Sequence, residues 1–242
     1  MTAYYNEIDP FAAAWLRELI KAGAIAPGDV DERDIRDVKP DDLRGYTQCH
    51  FFAGIGVWSY ALRRAGWADD RPVWTGSCPC QPFSAAGKRA GQSDERHLWP
   101  HWHHLIRECR PAIVLGEQVA SKDGLGWLDL VSADLEGEGY AIGASDLCAA
   151  GVGAPHIRQR LYWCATNPER NEQPRKEQRG RSFGRVGWEF QSVSWDEPWQ
   201  SALCRLRVVD DGTSYGVAAL DAVRNALVLP VAKMFIESVM DV

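Results

Sequence analysis

An apolar run that ends in two glycines and passes straight into a helix constrains this chain more than any other feature. Gln48 to Ala53 reads as a buried strand, Gly54 and Gly56 close it, and Trp58 to Ala65 reads as a helix stopped by Gly66. Glycines at such a turn let the backbone approach a ligand, and the strand–turn–helix unit is the opening piece of an α/β sheet. The pattern continues downstream. Val73-Trp74-Thr75 is a short strand, Leu98 to Arg107 a helix, Ala112 to Gly116 a buried strand and Leu125 to Glu136 a helix. Tyr140 to Leu147 and Arg160 to Ala165 fit two more strands. Upstream, residues 9 to 24 read as a helix with Asp9 as N-cap and Pro10 in its first turn. Gly28 to Val38 is acidic and fits a turn and a short strand. Strands alternating with helices predict an α/β fold with a mostly parallel sheet. Ligands in such sheets bind at the C-terminal strand ends, where Gly54, Cys80 and Glu117 fall.

Composition narrows the class of function only a little. The 242 residues suffice for one large or two small domains. The net charge of −6 does not suggest a nucleic-acid binder, but phosphate binding needs only a local basic face. No apolar run is long enough to span a bilayer, and residues 1 to 5 lack the features of a signal peptide, so a cytoplasmic location is the default expectation. Seven scattered cysteines make an odd number and read as thiols rather than a disulfide framework.

One of these thiols stands apart. In Gly76-Ser77-Cys78-Pro79-Cys80-Gln81-Pro82-Phe83-Ser84, Cys80 sits on a turn beyond a short strand, close in sequence to the glycine loop. A thiol presented there suits covalent catalysis, whereas Cys78, Cys109 and Cys148 read as buried packing residues. Metal binding by Cys78, Cys80, His97, His101, His103 and His104 is the rival reading. Cys-x-Cys with this histidine run lacks the paired spacing of zinc modules, so no metal is expected. From residue 167 to 200 the apolar period fades, and arginines cluster ahead of Trp188, Phe190, Trp195 and Trp199. That tract reads as an inserted lobe or long loop.

Together these motifs resemble the DNA cytosine-5 methyltransferase family, in a compact bacterial or phage-like form. The resemblance runs from about residue 48 to 165 and resumes at 220 to 239. It rests on order: Phe52-x-Gly54-x-Gly56, then Pro79-Cys80-Gln81, then Glu117-x-Val119, then Arg158-x-Arg160, then Asn225. The segment Asp94 to Leu98 also matches. The resemblance implies a Rossmann-like S-adenosylmethionine-dependent fold and double-stranded DNA as the partner. It implies Cys80 as the nucleophile for C6 of a flipped cytosine, Glu117 on the ring N3 and amine, and Arg158 and Arg160 beside it, with Arg160 on O2. Phe52, Gly54, Ile55, Gly56, Pro79, Leu98, Asn225 and Ala226 match positions that line the cofactor pocket. Ser84 to Gly91 resembles a loop that closes over the base. Gln81, Ser84, Lys88, Arg89 and Arg96 would meet DNA there, and Arg175, Lys176, Arg179 and Arg181 would do so in the recognition tract.

The departures shape the remaining expectations. Only 26 positions separate Gly54 from Cys80, where the family normally has two further strands and an acidic residue for the cofactor ribose. The sheet is therefore expected to be shortened, with the acidic N-terminal stretch supplying the missing wall through Glu32 or Asp34. Arg224 stands where the family has glycine. It either folds outward or binds a carboxylate, and in the second case carboxy-S-adenosylmethionine would be the donor and carboxymethylcytosine the product. A non-catalytic DNA-binding relative is the other alternative. The expected division is an N-terminal extension (1–47), a catalytic and cofactor-binding domain (48–166), a target-recognition insert (167–205) and a C-terminal segment completing the catalytic domain (206–242).

Overall fold

A computed structural model describes residues 2–79, 98–154, 158–170 and 227–241. Seven strands form one sheet: β1 (Thr2–Asn6), β2 (Gly28–Asp31), β3 (Tyr46–Phe51), β4 (Val73–Gly76), β5 (Ile113–Val119), β6 (Ala141–Cys148) and β7 (Gln159–Thr166). Their spatial order is β2-β1-β3-β4-β5-β7-β6. The first five in that order run parallel, and β7 lies antiparallel to both β5 and β6. The described helices are α1 (Pro10–Lys21), α2 (Val57–Arg64), α3 (Trp99–Cys109), α4 (Lys122–Gly137) and α5 (Leu229–Met240).

The interval between Gly54 and Cys80 carries a single strand, β4, as its length dictates. The sheet reaches seven strands because the N-terminal stretch provides two of them. Strand β1 pairs with β3 on the side away from β4, and β2 pairs with β1. Residues 1–47 thus carry two strands of the same sheet as the catalytic segment. Residues 28–31 are the short strand expected there, whereas β1 has no forewarning in the sequence pattern.

Strand alternation divides the core into layers. Tyr4, Phe51, Trp74, Val114 and Trp163 point to one face, under α3, α4 and the turns around Ile35 and Leu43. Val73, Ile113, Leu115 and Tyr162 point to the other, under α2 and α5. Ala3 and Tyr5 meet Leu16 of α1 and Ile25. Local signals set the helix ends. The Asp9 side chain accepts a hydrogen bond from the Ala12 amide at 2.8 Å and caps α1. Pro230 lies in the first turn of α5, where its missing N–H costs nothing.

The first face holds an aromatic plate. Trp99, Trp102, Trp127 and Trp163 pack with ring centroids 5.6 to 6.5 Å apart. Two glycines in register, Gly76 on β4 and Gly116 on β5, make room for it. A Cβ on Gly76 would stand 2.6 Å from Cη2 of Trp102, and one on Gly116 would fall inside the indole of Trp163. Each glycine immediately precedes a site residue, Ser77 or Glu117.

Candidate active site

The C-terminal ends of β1, β3, β4 and β5 meet at one edge of the sheet, and the N-terminal end of β7 joins them because it runs the other way. Five short segments gather there: Glu7, residues 52–56, residues 77–79, Glu117 with Gln118, and Arg158 to Arg160.

The glycine loop is built as the sequence predicts. Phe52, Gly54 and Gly56 all take positive φ, at 50°, 54° and 80°. That conformation is cheap for the glycines and strained for Phe52, whose ring packs edge-on against Trp102 at 6.0 Å. Gly56 caps α2, while a Cβ on Gly54 would meet nothing within 4 Å, so its face is open. The Gly54 amide donates to Oε2 of Glu7 at 2.6 Å. Glu7 Oε1 in turn accepts from the Asp9 amide at 2.9 Å. Glu7 thus stands at the end of β1 facing the glycine loop, 47 residues away in sequence. Sequence reasoning missed it. The available signal was an acidic residue between a short apolar run, Ala3 to Tyr5, and a capped helix start at Asp9-Pro10.

The two carboxylates expected at this wall are engaged elsewhere. Glu32 is exposed and pairs with Arg17 at 2.6 Å. Asp34 caps a turn through the Arg36 amide and pairs with the Arg36 guanidinium at 2.7 Å, a bond that holds its carboxyl below the ordinary range. Of the other pocket residues, Ile55 is half-buried, Leu98 packs against the aromatic core and Pro79 is exposed.

Where β5 ends beside the start of β7, Glu117 and Arg160 come together. Glu117 is 8% exposed, and Nε of Arg160 lies 2.7 Å from its Oε1. Burial pushes the Glu117 carboxyl up, while Arg160, the Ser77 hydroxyl and Arg158 pull it back. The raised value leaves a carboxyl that can carry a proton nearer neutrality than an exposed one. Arg158 sits just before β7, and burial lowers its guanidinium, with Arg160 adding to the effect and Glu117 opposing it. Gln118 spans the site floor. Its Nε2 donates to the Cys78 carbonyl at 3.1 Å, and its Oε1 accepts from the Val119 amide at 2.8 Å. This cross-tie fixes the end of β5 against the turn that leads to Cys80. Among the rival metal ligands, His103 stacks on Trp99 at 5.6 Å and His104 lies beside Arg107 and Glu108.

Cys80, Gln81, Ser84, Lys88, Arg89, Arg96 and His97 lie outside the described residues, as do Arg175, Lys176, Arg179, Arg181, Arg224, Asn225 and Ala226. Among the described residues, no helix is long and apolar enough to cross a membrane.

Comparison with known proteins finds relatives of this chain. Residues 67–186, about half of the chain, match the family model of C-5 cytosine-specific DNA methylases. The matched span holds Cys80, Glu117, Arg158 and Arg160, and begins downstream of the glycine loop. The chain is similar to the Type II methyltransferase M.HhaI of Haemophilus parahaemolyticus, with 33% identity over 97 residues, 38% of this chain and 30% of that protein. It is similar to the Type II methyltransferase M.NgoMIV of Neisseria gonorrhoeae, with 30% identity over 145 residues, 55% of this chain and 44% of that protein. The matched parts thus span less than half the length of these relatives. Among solved structures, a mutant of Spodoptera frugiperda DNMT2 superposes with a TM-score of 0.48 at 18% identity, covering 72% of this chain and 45% of that one.

Proposed function

Because the chain belongs to the C-5 cytosine-specific DNA methylase family, we propose that it transfers a methyl group to C5 of a flipped-out cytosine in double-stranded DNA. The buried Glu117–Arg160 pair at the strand ends is the observation that carries this reading.

The residues fit S-adenosylmethionine. Gly54 offers an open backbone face, Phe52 is held in a strained loop, and the Glu7 carboxylate borders the same loop. When bound, the cofactor supplies an electrophilic methyl group. Cys80, as its thiolate, adds to C6 of the cytosine and turns C5 into the nucleophilic carbon of an enamine. Glu117, protonated, donates to N3 and accepts from the exocyclic amine, and Arg160 holds that carboxyl in place. After C5 has gained the methyl group, its proton leaves to a base and the Cys80–C6 bond breaks, which restores the thiolate. Addition of the purified protein to duplex DNA carrying 5-fluorocytosine tests this directly. Fluorine cannot leave as a proton does, so the methylated adduct should persist as a covalent protein–DNA species. Absence of that species with S-adenosylmethionine present overturns the reading.

Glu7 is the carboxylate aligned with the glycine loop, and we place the ribose hydroxyls on it. Glu32 or Asp34 could take that role only by giving up an ion pair. Glu7→Ala should weaken S-adenosylmethionine binding by roughly tenfold or more, the worth of a charge-assisted hydrogen bond, measured by calorimetry. Glu32→Ala and Asp34→Ala should change it less than about threefold. A larger loss in either of those variants than in Glu7→Ala would move the contact to them.

A further inference from the structure

We propose that Trp58 is a positioning residue for methyl transfer: its indole N–H fixes Ser77, at the head of the turn that leads to Cys80. The inference rests on the reading of Cys80 as the nucleophile. Trp58 lies in the first turn of α2, two residues after Gly56, whose left-handed conformation caps the helix. Its side chain is buried, and Nε1 stands 3.2 Å from the Ser77 hydroxyl oxygen. An indole nitrogen can only donate, so the serine oxygen is the acceptor. The two residues are 19 positions apart, and the bond joins the helix that opens at the glycine loop to the end of β4.

Packing aims the indole. The ring meets Tyr162 edge-on at 6.0 Å, and Tyr162 rests in turn on Phe235 of α5 at 5.3 Å. Tyr162 stands directly opposite Glu117 in the β5–β7 register. Trp58 shares a buried cluster with Val73 of β4 and Leu115 of β5, so its N–H cannot swing away from Ser77 without repacking that face. The next residue is held from the opposite face. Gln118 donates to the Cys78 carbonyl at 3.1 Å, and the Cys78 side chain packs in the cluster under α3. Ser77 and Cys78 are thus pinned one from each face of the sheet. Attack on a ring carbon demands a thiol held in a narrow range of distance and direction, and a turn whose first residues are fixed has fewer conformations to lose. A phenylalanine at position 58 would offer a ring to Tyr162 but no donor to Ser77. The N–H is what the tryptophan adds.

The test is the single-turnover rate of adduct formation on 5-fluorocytosine duplex DNA with S-adenosylmethionine, for wild type, Trp58→Phe, Ser77→Ala and the double variant, with Kd for cofactor and for DNA measured alongside. Each single change should slow the adduct about three- to tenfold, the worth of one hydrogen bond, while both Kd values stay within about twofold of wild type. The double variant should be no slower than the slower single, because both changes remove the same bond. A wild-type rate in Trp58→Phe overturns the proposal. So do losses that multiply in the double variant, which would show two independent effects, and a rate that falls only as far as cofactor binding falls, which would place Trp58 in the service of the glycine loop. If Trp58→Phe does not fold, Ser77→Ala is read alone: it removes the acceptor from a half-buried residue, and a wild-type rate there overturns the proposal as well. A wild type that forms no adduct takes down the methyl-transfer reading and this one together. A wild type that forms the adduct at the same rate as the variants removes only the role of Trp58.

Discussion

Cys80→Ala is expected to abolish the covalent species with 5-fluorocytosine DNA and to lower methyl transfer by at least about 10⁴-fold, since removal of a nucleophile leaves only binding and polarisation. Binding to DNA should survive the change, because it removes none of the lysines and arginines proposed to meet phosphate. Cys78 provides the control. It lies two residues upstream and is buried, and the site uses its backbone carbonyl rather than its sulfur. Cys78→Ala should therefore keep the adduct. An adduct that survived in Cys80→Ala, or vanished in both variants, would contradict the assignment of the thiol. Denaturing gel electrophoresis of the trapped complex reads all of these outcomes.

Gly116→Ala should have the largest effect on stability. The added methyl group has nowhere to go but into the Trp163 indole, and that ring is locked between Trp99, Trp102 and Trp127. Close-packed interiors do not yield to such an insertion, and the cost should be about 3 kcal/mol or more, a fall in Tm of roughly 6–12 °C for a chain of this size. Because Glu117 follows directly, the same shift should also disturb the carboxyl. Gly143→Ala on β6 is the matched control. A Cβ there meets nothing within 4 Å, and its effect should stay within about 0.5 kcal/mol. Thermal unfolding of the two variants side by side separates a general intolerance of alanine in these strands from the specific clash. Equal Tm values would show that the plate can yield.

Those two glycines also show where the sequence could be read and where it could not. Helix α1, the glycine loop and β5 were legible because their signals are local: a capping aspartate with a proline, a pair of glycines after an apolar run, and a continuous buried stretch. Glu117 and Arg160 were legible as a pair because both fall in motifs that resemble those of the cytosine-5 methyltransferase family. Strand β1 was not. It is five residues long and buried on both faces, so Tyr4 and Tyr5 point to opposite layers and leave no alternation to detect. The Tyr5 hydroxyl donates to the Ala26 carbonyl at 2.6 Å and that of Tyr4 to Asp31 at 2.7 Å, contacts that only the folded chain defines. Strand order was equally hidden. Parallel pairing joins residues far apart in sequence, so β1 could not be placed beside β3 from pattern alone. The Glu32 and Asp34 side chains, expected at the cofactor wall, pair with Arg17 and Arg36. Nothing local marks the contact between Trp58 and Ser77, which depends on how α2 sits over β4.

The position of β1 and β2 ahead of β3 has a consequence in time. During synthesis Glu7 emerges before the glycine loop, on a strand–helix–strand unit with α1 packed on Ala3 and Tyr5. One edge of β1 then stays unpaired until β3 has been made, and an open parallel edge is a template for wrong partners. Glu7 cannot meet Gly54 until the ribosome has reached that glycine, 47 positions further on. A nascent chain that pauses before β3 therefore holds Glu7 without the Gly54 amide it accepts from, and leaves the β1 edge open.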